Sequence, residues 1–122
     1  MVDRAVALGR IATEEIVHAT SPNGASLICL VLLVTDTTIH TRTVTSQLTL
    51  AFDRRTGVAE WGDDAVPCTI DSVEPLPPDI YKVMRGMDRK FRLETNEERL
   101  KLSEAEKHAL VFIYSHYRAN KL

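Results

Sequence analysis

Residues 74–79 read EPLPPD, and this segment divides the chain into two parts of different character. Three of these six residues are proline, which excludes the interior of a helix and the interior of a sheet. The segment is therefore predicted to be a rigid connector. Pro78 is suited to open a helix, because the first helical turn does not use the N–H group that proline lacks.

Before the connector, β-branched residues dominate and the pattern predicts strands. Residues 25–35, ASLICLVLLVT, form a short apolar run bounded by turn residues, which is typical of a central strand covered on both faces. Residues 36–52 alternate over their second half, which predicts one half-buried antiparallel strand with threonines on its outer face. Turns at 53–57 and 62–64 then separate two shorter strands, VAEW (58–61) and PCTIDSV (67–73).

Residues 10–20, RIATEEIVHAT, fit two interpretations. Ala12, Ile16 and Ala19 would share one face of a helix. Against this, Asn23-Gly24 follows directly and precedes another apolar run, which is a signal for a β-hairpin. The segment is therefore a strand or a helix, and its pattern favours neither decisively.

After the connector, helix formers dominate. An apolar stripe at i, i+3, i+4 and i+7 predicts an amphipathic helix; its members are Ile80, Val83, Met84 and Met87. Two segments have the spacing of a capping box, Thr95 with Glu98 and Ser103 with Glu106. The second is predicted to open a last helix over residues 104–118.

The order of strands followed by helices predicts an α+β fold in a single domain of residues 1–122. Residues 10–74 are mainly β, in an antiparallel meander of four or five strands that can curl into a small barrel. Residues 78–118 are mainly α, with two or three helices packed on one face. With 122 residues and 44% hydrophobic side chains, the chain can build a core without disulfides or metal.

The overall charge and the cysteines exclude several classes of site. The formal net charge is −2, so the chain lacks the basic character expected of a nucleic-acid-binding domain, and any anion must be bound locally. Cys29 and Cys68 lie outside any zinc-binding spacing and are predicted to be buried thiols, with a disulfide between them left open. No metal site and no cofactor are predicted.

The sequence also predicts a cytoplasmic protein without membrane contact. The first ten residues mix acidic and basic side chains and contain no apolar segment typical of a signal peptide. The longest apolar run, residues 27–34, is too short to cross a bilayer, which needs about 20 residues.

Residues 81–92, YKVMRGMDRKFR, concentrate positive charge, with only Asp88 to oppose it. On a helix, the side chains at 82, 85 and 89 share a face opposite the apolar stripe. This face is interpreted either as the ordinary exposed side of a core helix, neutralised by the acidic residues of 93–107, or as a surface for an anionic partner. The candidate contact residues are Lys82, Arg85, Arg89, Lys90 and Arg92.

A nucleic-acid partner is the alternative to a protein partner. Residues 8–11 (LGRI), Glu15 and residues 22–24 (PNG) resemble the first hairpin of bacterial single-stranded-DNA-binding proteins of the OB-fold class. The resemblance implies a small barrel that stacks bases on aromatic side chains within a basic groove. It covers a short part of the chain, and the predicted strands contain only Phe52 and Trp61 as aromatics. The nucleic-acid contacts would then be the helix at 80–92 or Arg54, Arg55 and Trp61.

The last predicted helix is apolar around much of its girth. Such a helix is buried on most sides, either by its own chain or by a second subunit. The candidate interface residues are Phe112, Tyr114 and Tyr117.

No catalytic constellation is apparent in the sequence. The patterns of a nucleophile elbow and of phosphate-binding loops are absent. Adjacent carboxylates at 14–15 and 63–64 would point to opposite faces of a strand. The sequence therefore predicts a non-catalytic binding or assembly module that acts through protein–protein contacts, with a homodimer as one form. The alternatives are a nucleic-acid-binding module and a small-ligand or enzymatic domain.

Overall fold

The structure is a computed structural model that describes residues 3–61 and 66–122, with backbone alone at 60, 61, 66, 67 and 99. The described chain begins with a short helix, continues through six strands and ends in helices. The elements are α1 (Arg4–Gly9), β1 (Ile16–Thr20), β2 (Ser26–Val34), β3 (Thr38–Thr43), β4 (Thr49–Asp53), β5 (Val58–Trp61), β6 (Val66–Ser72), α2 (Pro78–Leu93), a 3₁₀-helix (Glu97–Leu100) and α3 (Glu104–Ala119).

The six strands form an antiparallel meander that curls into a nearly closed barrel, which confirms the predicted α+β class. The strand order is β4-β3-β2-β1-β6-β5, so β4 and β5 lie at opposite ends of the sheet although they are consecutive in sequence. In a flat sheet, five spacings of about 4.8 Å would separate them by about 24 Å. The connection at 54–57 reaches at most about 17 Å. The sheet must therefore curl until its two edges meet.

The turn that brings the edges together depends on a glycine. Gly57 has φ +74°, which side chains rarely adopt, and its N–H donates to the Asp53 carbonyl at 2.7 Å. A Cβ at this position would lie 2.4 Å from the Arg4 guanidinium and 3.2 Å from Leu8. The turn and α1 thus pack directly on each other, and Leu8 enters the barrel core.

Alternation along β1 and β2 creates two cores. Side chains at 17, 19, 27, 29 and 31 point into the barrel, together with Ile39, Phe52 and Ile70. The intervening side chains Ile16, Ile28 and Leu30 point outward and are covered by α2 and α3. The prediction that residues 25–35 are a strand covered on both faces is confirmed over Leu27–Val31, which are all buried.

The two long helices begin where the sequence indicates. Pro78 occupies the first turn of α2, and Ile80, Met84 and Met87 are buried against the sheet. Ser103 forms a complete capping box with Glu106 at the start of α3. Thr95 does not cap a helix; the neighbouring Asn96 caps the 3₁₀-helix instead.

The interpretation of residues 36–52 as one strand is wrong, because the chain reverses within it. β3 and β4 are joined by a turn, and two of the three threonines of β3, Thr41 and Thr43, face inward. Thr41 and Thr43 are buried, and their hydroxyl groups bond to the carbonyl of Leu50 and to the turn residue Ser46. The helix α1 is absent from the prediction, and residues 10–20 contribute β1 preceded by a turn.

The barrel differs from the OB-fold that the first hairpin suggested. Its described strands follow one another as a six-stranded meander, whereas the OB-fold is a five-stranded Greek-key barrel. Cys29 and Cys68 are both free thiols inside the core. No helix within residues 3–61 and 66–122 is long and apolar enough to cross a membrane. The predicted turn at 62–64 lies outside the described residues.

Candidate functional site

The outward face of α2 presents a row of cationic side chains. Lys82, Arg89 and Arg92 are exposed, and Arg85 is half-buried against Tyr81. The Arg85 guanidinium donates to the Tyr81 hydroxyl at 2.9 Å and lies 5.8 Å from the ring centroid. These four residues, here called the basic stripe, extend along about 15 Å of helix, ten residues at 1.5 Å each.

Asp88 does not neutralise the basic stripe, because it points into the fold. Its side chain is 4% exposed and accepts two hydrogen bonds from Arg42, at 2.9 and 2.7 Å, and one from Gln47 at 3.1 Å. Burial acts to raise the pKa of Asp88. The hydrogen bonds from Arg42 and Gln47 and the positive charges of Arg42 and Arg92 outweigh burial and lower that pKa. Within the described residues, no carboxylate forms an ion pair with the basic stripe.

Lys90 belongs to the same stretch of sequence but serves the fold. Its ammonium donates to a Glu106 carboxylate oxygen at 2.7 Å and to the Lys101 carbonyl at 3.0 Å. Glu106 also accepts from the backbone N–H of Ser103 as part of the capping box. Lys90 therefore links α2 to the start of α3. Its charge is neutralised by Glu106, a member of the acidic segment 93–107, as the first interpretation of the basic stretch expects for this residue.

The three aromatic residues of the predicted interface have different environments. Tyr117 is 1% exposed, donates to the Ile16 carbonyl at 3.3 Å and belongs to the core under α3. It therefore offers no surface to a partner. Phe112 is half-buried and stacks on His116, with ring centroids 5.4 Å apart. Tyr114, at 42%, and Val111, at 67%, are the exposed apolar side chains of this helix.

The residues named as alternative nucleic-acid contacts differ in their environments as far as the structure describes them. The Arg54 guanidinium donates to the carbonyls of Thr35 and Gly9, at 3.0 and 2.8 Å, and so fixes the β4–β5 turn. Arg55 is exposed beside it. Phe52 is fully buried in the barrel and cannot stack on a base. Trp61 lies on β5, and its side chain lies outside the described residues.

A pocket of about 510 Å³ lies where the β1–β2 hairpin meets the C-terminal end of α3. The outward face of the hairpin contributes one wall, and α3 with the residues after it contributes the other. The side chains that the pocket exposes are His18, Thr20, Ser26, Tyr114, Arg118 and Lys121. This surface is here called the hairpin pocket.

His18 forms one wall of the hairpin pocket and is held in a fixed orientation. Its Nδ1 lies 2.5 Å from Asp71 Oδ1, and its ring packs on Tyr117 with centroids 5.1 Å apart. Asp71 also accepts from the Thr20 hydroxyl at 2.5 Å, and the Lys121 ammonium lies 3.9 Å away. Burial acts to raise the pKa of Asp71, but the hydrogen bonds from His18 and Thr20 and the charge of Lys121 outweigh it and lower that pKa.

These contacts determine what His18 presents to the pocket. An ionised carboxylate only accepts hydrogen bonds, so Nδ1–H of His18 is the donor to Asp71. In a neutral imidazole, the other nitrogen is then an acceptor. Nε2 makes no hydrogen bond within the part of the chain that the structure describes. His18 therefore offers an oriented ring whose Nε2 is left to hydrogen-bond a ligand, without a hydroxyl or thiol nucleophile bonded to it in the described residues.

The sequence did not indicate the hairpin pocket, because its residues come from two stretches, 18–26 and 114–121, that lie far apart along the chain. A weak signal was present, since His18 and Thr20 alternate with Val17 and Ala19 and must lie on the face opposite the barrel core. Among the described residues, no group of three or more His, Cys, Asp or Glu side chains is placed to hold a metal ion. Comparisons of this chain with protein-family models, curated proteins and solved structures found no match.

Proposed function

We propose that this protein is a small non-catalytic binding module that recognises an acidic surface of a partner protein through the basic stripe. The observation that carries the proposal is the inward orientation of Asp88. Asp88, the one acidic side chain within residues 81–92, is paired with Arg42, and so Lys82, Arg85, Arg89 and Arg92 form no ion pair with a carboxylate in the described part of the chain.

A protein partner accounts for the stripe better than a nucleic acid does. The chain has a net charge of −2, so a polyanion would be attracted by one helix face and repelled by much of the remaining surface. Single strands are also usually bound on exposed aromatic platforms. Tyr81, an aromatic side chain in contact with the stripe, is held by Arg85 and donates to the Glu14 carbonyl at 2.6 Å. An acidic protein patch needs only local complementarity of charge.

Fluorescence anisotropy with labelled decaglutamate and with a single-stranded DNA tests the proposal at low and moderate salt. We expect decaglutamate to bind at low salt and the doubly substituted Arg89→Glu, Arg92→Glu protein to lose about tenfold or more in affinity. Each reversal removes one attraction and adds one repulsion, each worth up to about 1 kcal/mol. The matched control is Arg55→Glu, which makes the same charge change at an exposed arginine on the β4–β5 turn.

The two arms of the titration separate the candidate partners. Tighter binding to DNA than to decaglutamate, lost in the doubly substituted protein, would replace the proposal by the nucleic-acid alternative. Absence of binding to both probes at low salt, or equal losses in the Arg55→Glu control, would refute a role for the basic stripe.

Self-association is a second candidate function, supported by the exposed apolar side chains Val111 and Tyr114 on α3. They are three residues apart and so lie on one face of the helix. Light scattering at high protein concentration should give the mass of a dimer, and Val111→Glu should restore the mass of a single chain. A single-chain mass for the unsubstituted protein would eliminate this candidate and leave the first untouched.

A further inference from the structure

We propose that the hairpin pocket is a binding site for a small phosphorylated molecule that also carries hydroxyl groups, such as a sugar phosphate. This inference is independent of the basic stripe, since the two surfaces share no residue. It rests on the volume of the pocket, on the donors that remain free in it and on the orientation of the His18 ring.

The volume of the pocket is suited to a small molecule. About 510 Å³ lies within the range of about 300–1,000 Å³ that is typical of ligand sites. The pocket has an open mouth between the hairpin and α3, and Tyr114 stands at its edge with 42% of its surface exposed. An aromatic ring in this position can pack against the face of a sugar.

The hydrogen-bond donors that remain free in the pocket favour a phosphate group in the ligand. Thr20 already donates to Asp71 and the Lys121 ammonium lies 3.9 Å from the same carboxylate, so the donors on the wall without a partner among the described residues are Arg118 and the hydroxyl of Ser26. A phosphate monoester has three terminal oxygens and about two negative charges, and so it uses these donors more fully than a carboxylate does. Arg118 forms no ion pair among the described residues.

Two sources of negative charge next to the pocket, the Asp71 carboxylate and the carbonyl groups at the end of α3, already accept hydrogen bonds. Both oxygens of Asp71 accept hydrogen bonds, and Lys121 lies beside them. At the C-terminal end of α3, the side chain of Asn120 donates to the His116 carbonyl and its N–H to the Tyr117 carbonyl. These contacts reduce the repulsion that a phosphate would meet there.

His18 supplies the second half of the recognition. Because its Nδ1 is committed to Asp71, its Nε2 is left to hydrogen-bond a hydroxyl group of a ligand, which can both donate and accept. A ligand with a phosphate at Arg118 and a hydroxyl at His18 satisfies both ends of the pocket. Inorganic phosphate satisfies only one end and should bind more weakly.

The test is a two-dimensional ¹H–¹⁵N NMR titration of the whole chain with ribose 5-phosphate, inorganic phosphate and ribose. We expect saturable shifts with ribose 5-phosphate, at a Kd of about 1 mM or below, confined to amides of residues 18–26 and 114–122. Inorganic phosphate should shift the same amides with a Kd several-fold higher, and ribose at about 10 mM should shift none.

Three variants locate the binding. Arg118→Gln should weaken ribose 5-phosphate about tenfold or more, because a charge-assisted hydrogen bond is lost. Lys107→Gln removes one positive charge from the same helix outside the pocket and should leave the Kd unchanged. Ser26→Phe fills the pocket without changing charge, at an exposed strand position that suits an aromatic residue, and should abolish binding. The dispersion of each spectrum verifies that the variant is folded.

Several results would overturn the inference. These are absence of shifts at about 10 mM ribose 5-phosphate, shifts centred on α2 instead of the pocket, equal binding of ribose, and equal losses in Arg118→Gln and Lys107→Gln. If Ser26→Phe does not fold, the comparison of Arg118→Gln with Lys107→Gln still decides the matter.

Discussion

The ion pair between Arg42 and Asp88 provides a sharp test of the packing between α2 and the barrel. Arg42 on β3 and Asp88 on α2 are joined by two hydrogen bonds, with side chains that are 17% and 4% exposed. Replacing Arg42 by Met keeps the apolar stem of the side chain and leaves the Asp88 carboxylate buried without its charge partner. We expect Arg42→Met to lower the free energy of unfolding substantially.

The magnitude follows from the burial and from the contact that remains. Removing one partner of a buried ion pair lowers the free energy of unfolding by about 3–5 kcal/mol. Gln47 continues to donate to Asp88 at 3.1 Å, and water can reach the site where Arg42 was partly exposed. We therefore expect Arg42→Met to lower the free energy of unfolding by about 3 kcal/mol at neutral pH, which is the lower end of this range. Arg89→Met, an exposed arginine on the same helix, is the control and should change stability by less than about 0.5 kcal/mol.

The effect of pH has a defined sign. In the unsubstituted protein the pKa of Asp88 is lowered, so the pair stabilises the fold above the unfolded carboxyl pKa of about 3.9 and loses this effect as pH falls through the folded pKa. In Arg42→Met, burial without the guanidinium raises the pKa of Asp88 above the unfolded value. Falling pH then protonates Asp88 and relieves the penalty, so the difference between the two proteins should shrink.

Urea unfolding followed by far-ultraviolet circular dichroism measures this difference at about pH 7 and about pH 4. The double variant Arg42→Met, Asp88→Leu should be more stable than Arg42→Met alone at neutral pH, because no buried charge is left unpaired. A loss below about 1 kcal/mol in Arg42→Met, or a loss that does not change with pH, would refute the reasoning.

Three further expectations concern the core, a helix cap and the thiols. In urea unfolding, Ile113→Ala should lower the free energy of unfolding by about 3 kcal/mol, because the side chain is fully buried. Val111→Ala on the exposed face should lower it by less than about 0.5 kcal/mol. Equal losses would contradict the orientation of α3. Ser103→Ala should cost about 1 kcal/mol, since its hydroxyl accepts from the Glu106 N–H, and an unchanged midpoint would contradict this. Burial raises the pKa of Cys29 to about 12, so a thiol reagent should label Cys29 and Cys68 only after unfolding, and rapid labelling of the native protein would contradict their burial.

The parts of the fold that were predictable are those with local causes. The prolines of 74–79 fix the boundary between strands and helices, Ser103 and Glu106 cap α3, and Asn23-Gly24 supplies the hairpin turn with Gly24 at φ +86°. Each of these signals acts within a few residues. The sequence alone therefore placed them correctly.

The turn between β3 and β4 was missed because its stabilising contacts are partly distant. It contains no glycine or proline, and Gln47 adopts φ +56° in it. The hydroxyl of Thr43 accepts from the Leu48 N–H at 2.9 Å, and the side chain of Gln47 reaches Asp88 on α2. A turn that is completed by a helix far along the chain has no short-range signal.

The candidate site was also not predictable from short-range signals in the sequence, and Tyr117 illustrates the reason. The spacing of apolar residues on α3 left Tyr117 as a candidate either for the core of its own chain or for a subunit interface, because periodicity finds an apolar position without indicating what covers it. In the fold, its hydroxyl bonds to the Ile16 carbonyl and its ring supports His18. The contact holds the C-terminal end of α3 against β1, and Arg118 and Lys121 follow directly beside it. A candidate interface residue thus lies in the core and helps to assemble the pocket that we propose binds a ligand.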